Sequence, residues 1–199
     1  MAFKSTKKSR ERICAFGAVG GGKSHQFLRT IKRQVKSGST ARGYVISTDR
    51  AYERMIESDE FAVILKADAL EYENVKDWDQ SLKVLNRYLG VVKPDDWISV
   101  DLAGPVWNYV QEAYVQGVHG KDKSEWLVEI AKDVAAGQGD KHKTKRGGFE
   151  GRSQWGTINA MWADFSIPLL VEAECHVLDR KSTRLNSSHI QKSRMPSSA

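Results

Sequence analysis

The chain has 199 residues, 40% of them hydrophobic and 28% charged. That is enough apolar material for one packed domain and too much for a disordered segment. The formal charge of +6 does not mark a nucleic-acid binder, because residues 179–199 carry five of the cations and one acid, and without them the balance is +2.

Residues 1–12 hold five basic residues and one acid and read as a mobile, basic lead-in. Ile13 to Phe16 is an apolar run that predicts a buried strand. It runs directly into Gly17-Ala18-Val19-Gly20-Gly21-Gly22-Lys23-Ser24-His25, which contains the complete pattern G-x-x-x-x-G-K-S of a phosphate-binding loop. Glycines let backbone N–H groups close around phosphate oxygens, and a helix starting at the loop's end adds partial positive charge. In this pattern Lys23 reaches the β- and γ-phosphates and the Ser24 hydroxyl ligates Mg²⁺. The expected ligands are therefore ATP and Mg²⁺, held by Gly17 to His25. Phe27, Leu28, Ile31 and Val35 recur at helical spacing and predict the required helix, to about Ser37.

Residues 38–43 read as a turn and Tyr44 to Thr48 as a second strand, followed by Asp49 and Arg50. A short helix is expected over 51–57 and a third strand over Phe61 to Leu65. Val75, Trp78, Leu82, Leu85 and Leu89 predict a helix over 74–89. Trp97-Ile-Ser-Val100 is a fourth strand ending at Asp101, some 77 residues after the loop. An apolar strand ending in aspartate is the usual partner of a phosphate loop. It aims a carboxylate at the metal from the C-terminal edge of the sheet. Ser99 interrupts the strand and is expected to bond nearby backbone. Pro105 is set to open a helix over 106–118, and 124–135 is a further helix.

Residues 136–152 are rich in Gly and Lys and read as a mobile loop. A long helix follows over 154–171, with Pro168 forcing a kink or an early stop. Residues 173–178 begin a last strand. Strands alternating with helices predict an α/β domain over 13–178, with a mostly parallel sheet covered by helices on both faces in three layers. Cys14 and Cys175 fall in strands and read as small core residues in a reduced cytoplasmic protein. Trp78, Trp97, Trp107, Trp126 and Trp162 read as core or helix-face residues. No apolar run is long enough to span a membrane, and no signal peptide precedes the domain.

Residues 179–199 stand apart. Asp179-Arg-Lys-Ser-Thr-Arg-Leu-Asn-Ser-Ser-His189 and the run to Ala199 look like a translated sequencing adapter, and are expected to be a non-native, disordered tail on a fragment of a longer gene.

Three segments together resemble the RecA/RadA-type P-loop ATPases, especially the small ones of bacteriophages. They are Gly17 to Ser24, Tyr44 to Arg50, and Trp97 to Asp101 with the later Gln154-Trp-Gly-Thr-Ile-Asn159 and His176-Val-Leu178. The resemblance covers most of residues 13–178. It implies a RecA-like P-loop NTPase (AAA/RecA-type) fold and a Mg²⁺-dependent ATPase in phage DNA recombination, annealing or repair in the host cytoplasm, with scope for homo-oligomers. Lys23, Asp49 and Asp101 become the catalytic residues, and Ser24 and Asp101 the metal ligands. Asp49 matches the acidic residue that activates water, usually Glu in the family; equally, it is a favoured N-cap for the 51–57 helix. A polar sensor is implied just past Leu178. Arg50 and Arg152 are candidates for an arginine finger, or are simply solvated.

Five cations lie between Lys141 and Arg152, close to Phe149 and Trp155. Lys141, Lys143, Lys145 and Arg146 could contact single-stranded DNA, or form a solvated linker. Two other classes stay open: a packaging-motor ATPase or small-molecule kinase, and a nucleotide-binding regulator without turnover. Leu102, where a second acid could follow Asp101, motivates the regulator.

Overall fold

A computed structural model describes residues 10–17, 21–138 and 152–182. Its centre is a five-stranded, all-parallel sheet with strand order β1-β5-β4-β2-β3. The strands are β1 (Arg12–Gly17), β2 (Gly43–Ser47), β3 (Leu70–Asn74), β4 (Trp97–Asp101) and β5 (His176–Ser182). The helices are α1 (Lys23–Lys36), α2 (Ala51–Ile56), α3 (Ala62–Lys66), α4 (Trp78–Leu89), α5 (Ala103–His119), α6 (Lys123–Ala135) and α7 (Arg152–Ile167).

Side-chain alternation along the central strands divides the core in two. Tyr44, Ile46, Ile98, Val100 and Val177 point to one face, where they meet α4, α5 and α7 through Leu85, Val106 and Phe165. Val45, Trp97 and Leu178 point to the other, against Phe27, Leu28 and Ile31 of α1, with Tyr52 and Ile64 of α2 and α3. Helices therefore cover both faces, which fits the three-layer arrangement expected from the alternating pattern. Trp78, Trp97 and Trp126 are buried, and Trp107 and Trp162 pack half-buried on the larger cluster. None of the described helices is long and apolar enough to cross a membrane.

Phe61 to Leu65 is not the third strand: Ala62–Lys66 is a short helix. Phe61 and Ile64 are buried while Leu65 is exposed, the i, i+3 pattern of a helical turn. A short run that is apolar throughout carries no period, so it cannot separate strand from helix. The real β3 is Leu70-Glu-Tyr-Glu-Asn74. As the edge strand beside β2 it is only half-covered. Leu70 and Tyr72 join the α1-side core, and Glu71 and Glu73 pair with Arg87 of α4.

Cys14 is not a core residue but stands exposed. The strand order puts β1 at an edge rather than inside the sheet, and Ile13 beside it is 42% exposed. Cys175 is buried as expected, and burial pushes its thiol up to about 11. A thiol reagent at pH 8 should therefore modify Cys14 in the native protein and reach Cys175 only on unfolding. Mass spectrometry of the labelled peptides checks this; equal labelling of the two cysteines would contradict the packing.

Helix boundaries follow local chemistry. Asp77 caps α4 by accepting from the Gln80 N–H at 2.8 Å. Pro105 lies in the first turn of α5 rather than opening it, where its missing N–H leaves no helical bond unmade. At Pro168 the α-helical pattern of α7 ends and a π-helical turn, Pro168–Glu172, takes over, closed by the Ala173 N–H on the Pro168 carbonyl at 2.8 Å. At the opposite end of the sheet from the loop, the buried Asp96 carboxylate accepts from the N–H groups of Arg42 and Lys93, both at 2.7 Å. That bond fixes the entries to β2 and β4.

The last strand runs further than Leu178. Asp179 to Ser182 continue β5, pairing with Cys14 to Gly17 of β1, and Asp179 and Arg180 also pair with Val100 and Asp101 of β4. The first four residues of the segment set aside as tail thus extend the ladder beside the loop strand; 183–199 lie outside the described residues. A chain ending at Leu178 should melt at least about 5 °C below one ending at Ser182, since several backbone bonds at about 1 kcal/mol each go with them. Equal melting temperatures would show that the ladder past Leu178 contributes nothing.

Candidate phosphate-binding site

The C-terminal ends of β1, β2 and β4 converge on one edge of the sheet. There a cleft of about 480 Å³ is lined by Gly21, Gly22, Lys23, Ser24 and His25 on one side and by Asp49 and α2 on the other, with Asp101 and Leu102 also in its wall. Open parallel sheets bind ligands at this edge.

The loop end of α1 leaves its first donors without a side-chain partner on the helix. Gly22 sits at the helix's N-cap with φ of 74°, left-handed backbone that glycine takes without strain. No side chain caps the helix and no acid lies in its first turn. Its first N–H groups therefore carry partial positive charge with no carboxylate nearby on the helix to offset it. Lys23 folds back over the loop, and its Nζ donates to the Gly17 carbonyl at 3.0 Å. Ala18, Val19 and Gly20 lie outside the described residues.

Next to the lysine, the Ser24 hydroxyl donates to Asp101 Oδ2 at 2.9 Å, joining residues 77 positions apart. Asp101 is 2% exposed. Its backbone is clamped by Thr48: the Thr48 N–H and hydroxyl donate to the Asp101 carbonyl at 2.7 and 3.1 Å, and the Leu102 N–H donates to the Thr48 hydroxyl at 3.1 Å. The Asp101–Leu102 peptide is cis. A carboxylate and a hydroxyl held together at this edge are hard-oxygen groups of the kind Mg²⁺ accepts, so Ser24 and Asp101 are the residues that would hold it. No cluster of three or more His, Cys, Asp or Glu groups suited to a metal occurs among the described residues.

Asp49 lines the cleft, but its carboxylate is already engaged. Oδ1 accepts from the Ala51 N–H at 3.0 Å, but the N-cap of α2 is Arg50 and no side chain caps the helix, so Asp49 braces the turn before α2 rather than taking the N-cap position expected for it. His25, the residue after Ser24, contacts Glu60 at 2.9 Å and packs edge-on to Phe61, with ring centroids 5.1 Å apart. The hydrogen bond from His25 is the chief reason the Glu60 carboxyl lies below its ordinary value.

Ser99 does not behave as expected: its buried hydroxyl has no hydrogen-bond partner, and neither does that of Ser47, which pairs in register with Asp101. Both point to the α1 side of the sheet, where the neighbouring side chains are apolar. Sequence reasoning also missed the α2 wall, Ala51, Arg54 and Met55. Arg50 is not part of the cleft lining. Lys141, Lys143, Lys145, Arg146 and Phe149 fall outside the described residues, as does the Arg152 side chain; Trp155 is half-buried and stacks on Trp107, with centroids 6.2 Å apart.

A larger hollow of about 790 Å³ lies between α4, α5 and α6. Its wall carries Asp77, Asp79, Glu112 and Asp122 against Lys123, and no part of the loop. Compared with known proteins, the chain matches no family model, no curated protein and no solved structure.

Proposed function

We propose that the chain is a P-loop NTPase of RecA-like fold that binds and hydrolyses ATP with Mg²⁺. The observation that carries this reading is the 2.9 Å hydrogen bond between Ser24 and Asp101 at the N-terminus of α1. A bare strand-to-helix turn rich in glycine has no reason to bring a buried carboxylate from a distant strand against the serine of its own motif. β5 lying between β1 and β4 also suits the resemblance, because it brings the strand implied to lead to the polar sensor between the loop and Asp101.

In this reading the N–H groups of the loop and first turn bind the phosphates, and Lys23 leaves the Gly17 carbonyl to reach the terminal ones. Ser24 and Asp101 hold Mg²⁺, which would neutralise charge building on the phosphate oxygens. Asp49 orients the attacking water with the carboxylate oxygen not engaged at Ala51. The role in phage DNA recombination, annealing or repair and self-assembly rest on the resemblance alone, and the contact of the 141–146 cations with single-stranded DNA rests on the charge and aromatic content of 141–155 in the sequence.

One observation favours a second reading, a regulator that binds nucleotide without turnover. The Asp49 carboxylate already accepts from the Ala51 N–H at the start of α2, and the residue after Asp101 is Leu102. The deciding experiment measures ATP binding and phosphate release with and without single-stranded DNA. DNA-stimulated release supports the first reading, and tight binding with no release supports the second. Absence of binding to any nucleotide would refute both.

A further inference from the structure

The α2 wall of the cleft carries a cation for which the fold provides no partner. Arg54 lines the cleft with Lys23, Ser24 and Asp101. Among the described residues its guanidinium has neither an ion pair nor a hydrogen bond, whereas Arg29, Arg42 and Arg87 each contact a carboxylate. Ala51, Arg54 and Met55 are spaced i, i+3, i+4 and line the cleft together, so one face of α2 is turned into it.

This face is rigidly held. Tyr52 is fully buried and meets Phe27 of α1 edge-on, with centroids 6.3 Å apart, and Ile56 is 3% exposed. Glu53 accepts from Asn74 of β3 at 2.6 Å, and Asp49 accepts from the Ala51 N–H at the start of the helix. Residue 54 is thus presented by an anchored element, and the small side chain of Ala51 leaves room beside it.

The strand order says which part of a ligand it meets. The phosphate loop follows β1, the Ser24–Asp101 pair closes the end of β4, and α2 follows β2, on the far side of β4 from β1. A phosphate chain that begins on the loop and ends at Lys23 and Asp101 has its last phosphate nearest α2. We infer that Arg54 contacts the terminal phosphate of a bound nucleoside triphosphate, acting from the same chain, and so distinguishes a triphosphate from a diphosphate. The inference rests on the P-loop reading. It assigns the cation to Arg54 rather than Arg50, whose backbone starts α2 with φ of 56° outside the cleft lining.

The test titrates the parent chain and the Arg54→Gln and Arg54→Lys variants with ATP·Mg and ADP·Mg, and follows phosphate release. Arg54 is exposed and makes no contact in the fold, so the melting temperatures should agree. Loss of one charge-assisted contact should weaken ATP binding about 10- to 100-fold in Arg54→Gln and leave ADP binding within about twofold. Arg54→Lys should recover part of the difference. If Arg54→Gln binds both nucleotides and releases phosphate like the parent, the inference is overturned. Equal weakening toward ATP and ADP overturns it too, because a contact to the terminal phosphate cannot act on ADP. A parent that binds neither nucleotide rejects the P-loop reading and this inference with it, a result visible before any variant is made.

Discussion

Lys23→Ala should abolish ATP binding or reduce it by two orders of magnitude or more. Lys23 is the one ammonium inside the loop, and its Nζ sits 3.0 Å from the Gly17 carbonyl, held in the loop's mouth. Removing it deletes a cation facing the most highly charged part of the ligand, where charge-assisted bonds are strongest. It also frees one part-buried carbonyl at the end of β1, where water from the cleft can satisfy it, so the fold should be little affected. Calorimetric titration of the two proteins with ATP·Mg, with circular dichroism as a control on folding, measures both. Unchanged affinity would remove the phosphate loop from the function altogether.

Asp101→Asn should reduce phosphate release about 100-fold or more while ATP still binds. The amide keeps the size of the carboxylate and can still accept from Ser24, but it loses the negative charge that attracts a divalent cation. The Thr48 bonds go to the backbone of residue 101 and survive the change, so folding should be preserved. The telling measurement is phosphate release across a Mg²⁺ titration. The variant should need far more metal to reach half its own maximum rate. The same metal dependence in both proteins would take Asp101 out of the site.

The parts of this edge that could be read from the sequence are those encoded by contiguous residues. The phosphate loop is one uninterrupted motif, and an apolar strand ending in Asp101 is visible because both its period and its stop are local. The helices on both faces follow from strands and helices that alternate along the chain. What stayed hidden depends on register and on neighbours. The Thr48 clamp exists because the ends of β2 and β4 lie side by side. The edge position of β1, which exposes Cys14, depends on strand order. β3 was obscured by two glutamates that an edge strand tolerates and a central strand would not. Arg54 gave no signal, because an exposed arginine on a short helix looks the same whether it faces solvent or a ligand. The unmatched hydroxyls of Ser47 and Ser99 are the converse. A serine within an apolar run suggests a bond to backbone, and only the packed sheet shows that none is made.

The edge position of β1 also bears on how the protein behaves in a tube. Past β1 no further strand pairs among the described residues, and a strand left open on one side is a template for another chain's backbone. Ile13 is partly bare there, so the middle of the template is apolar, with the exposed Glu11 and Arg12 giving charge only at its start. Concentrated samples should therefore turn cloudy first along this rim. Because β1 ends at Gly17, any chain that added itself would be attached one step from the phosphate loop. Turbidity and nucleotide occupancy would then be coupled, and a lysine in place of Ile13 would be the simplest way to separate them.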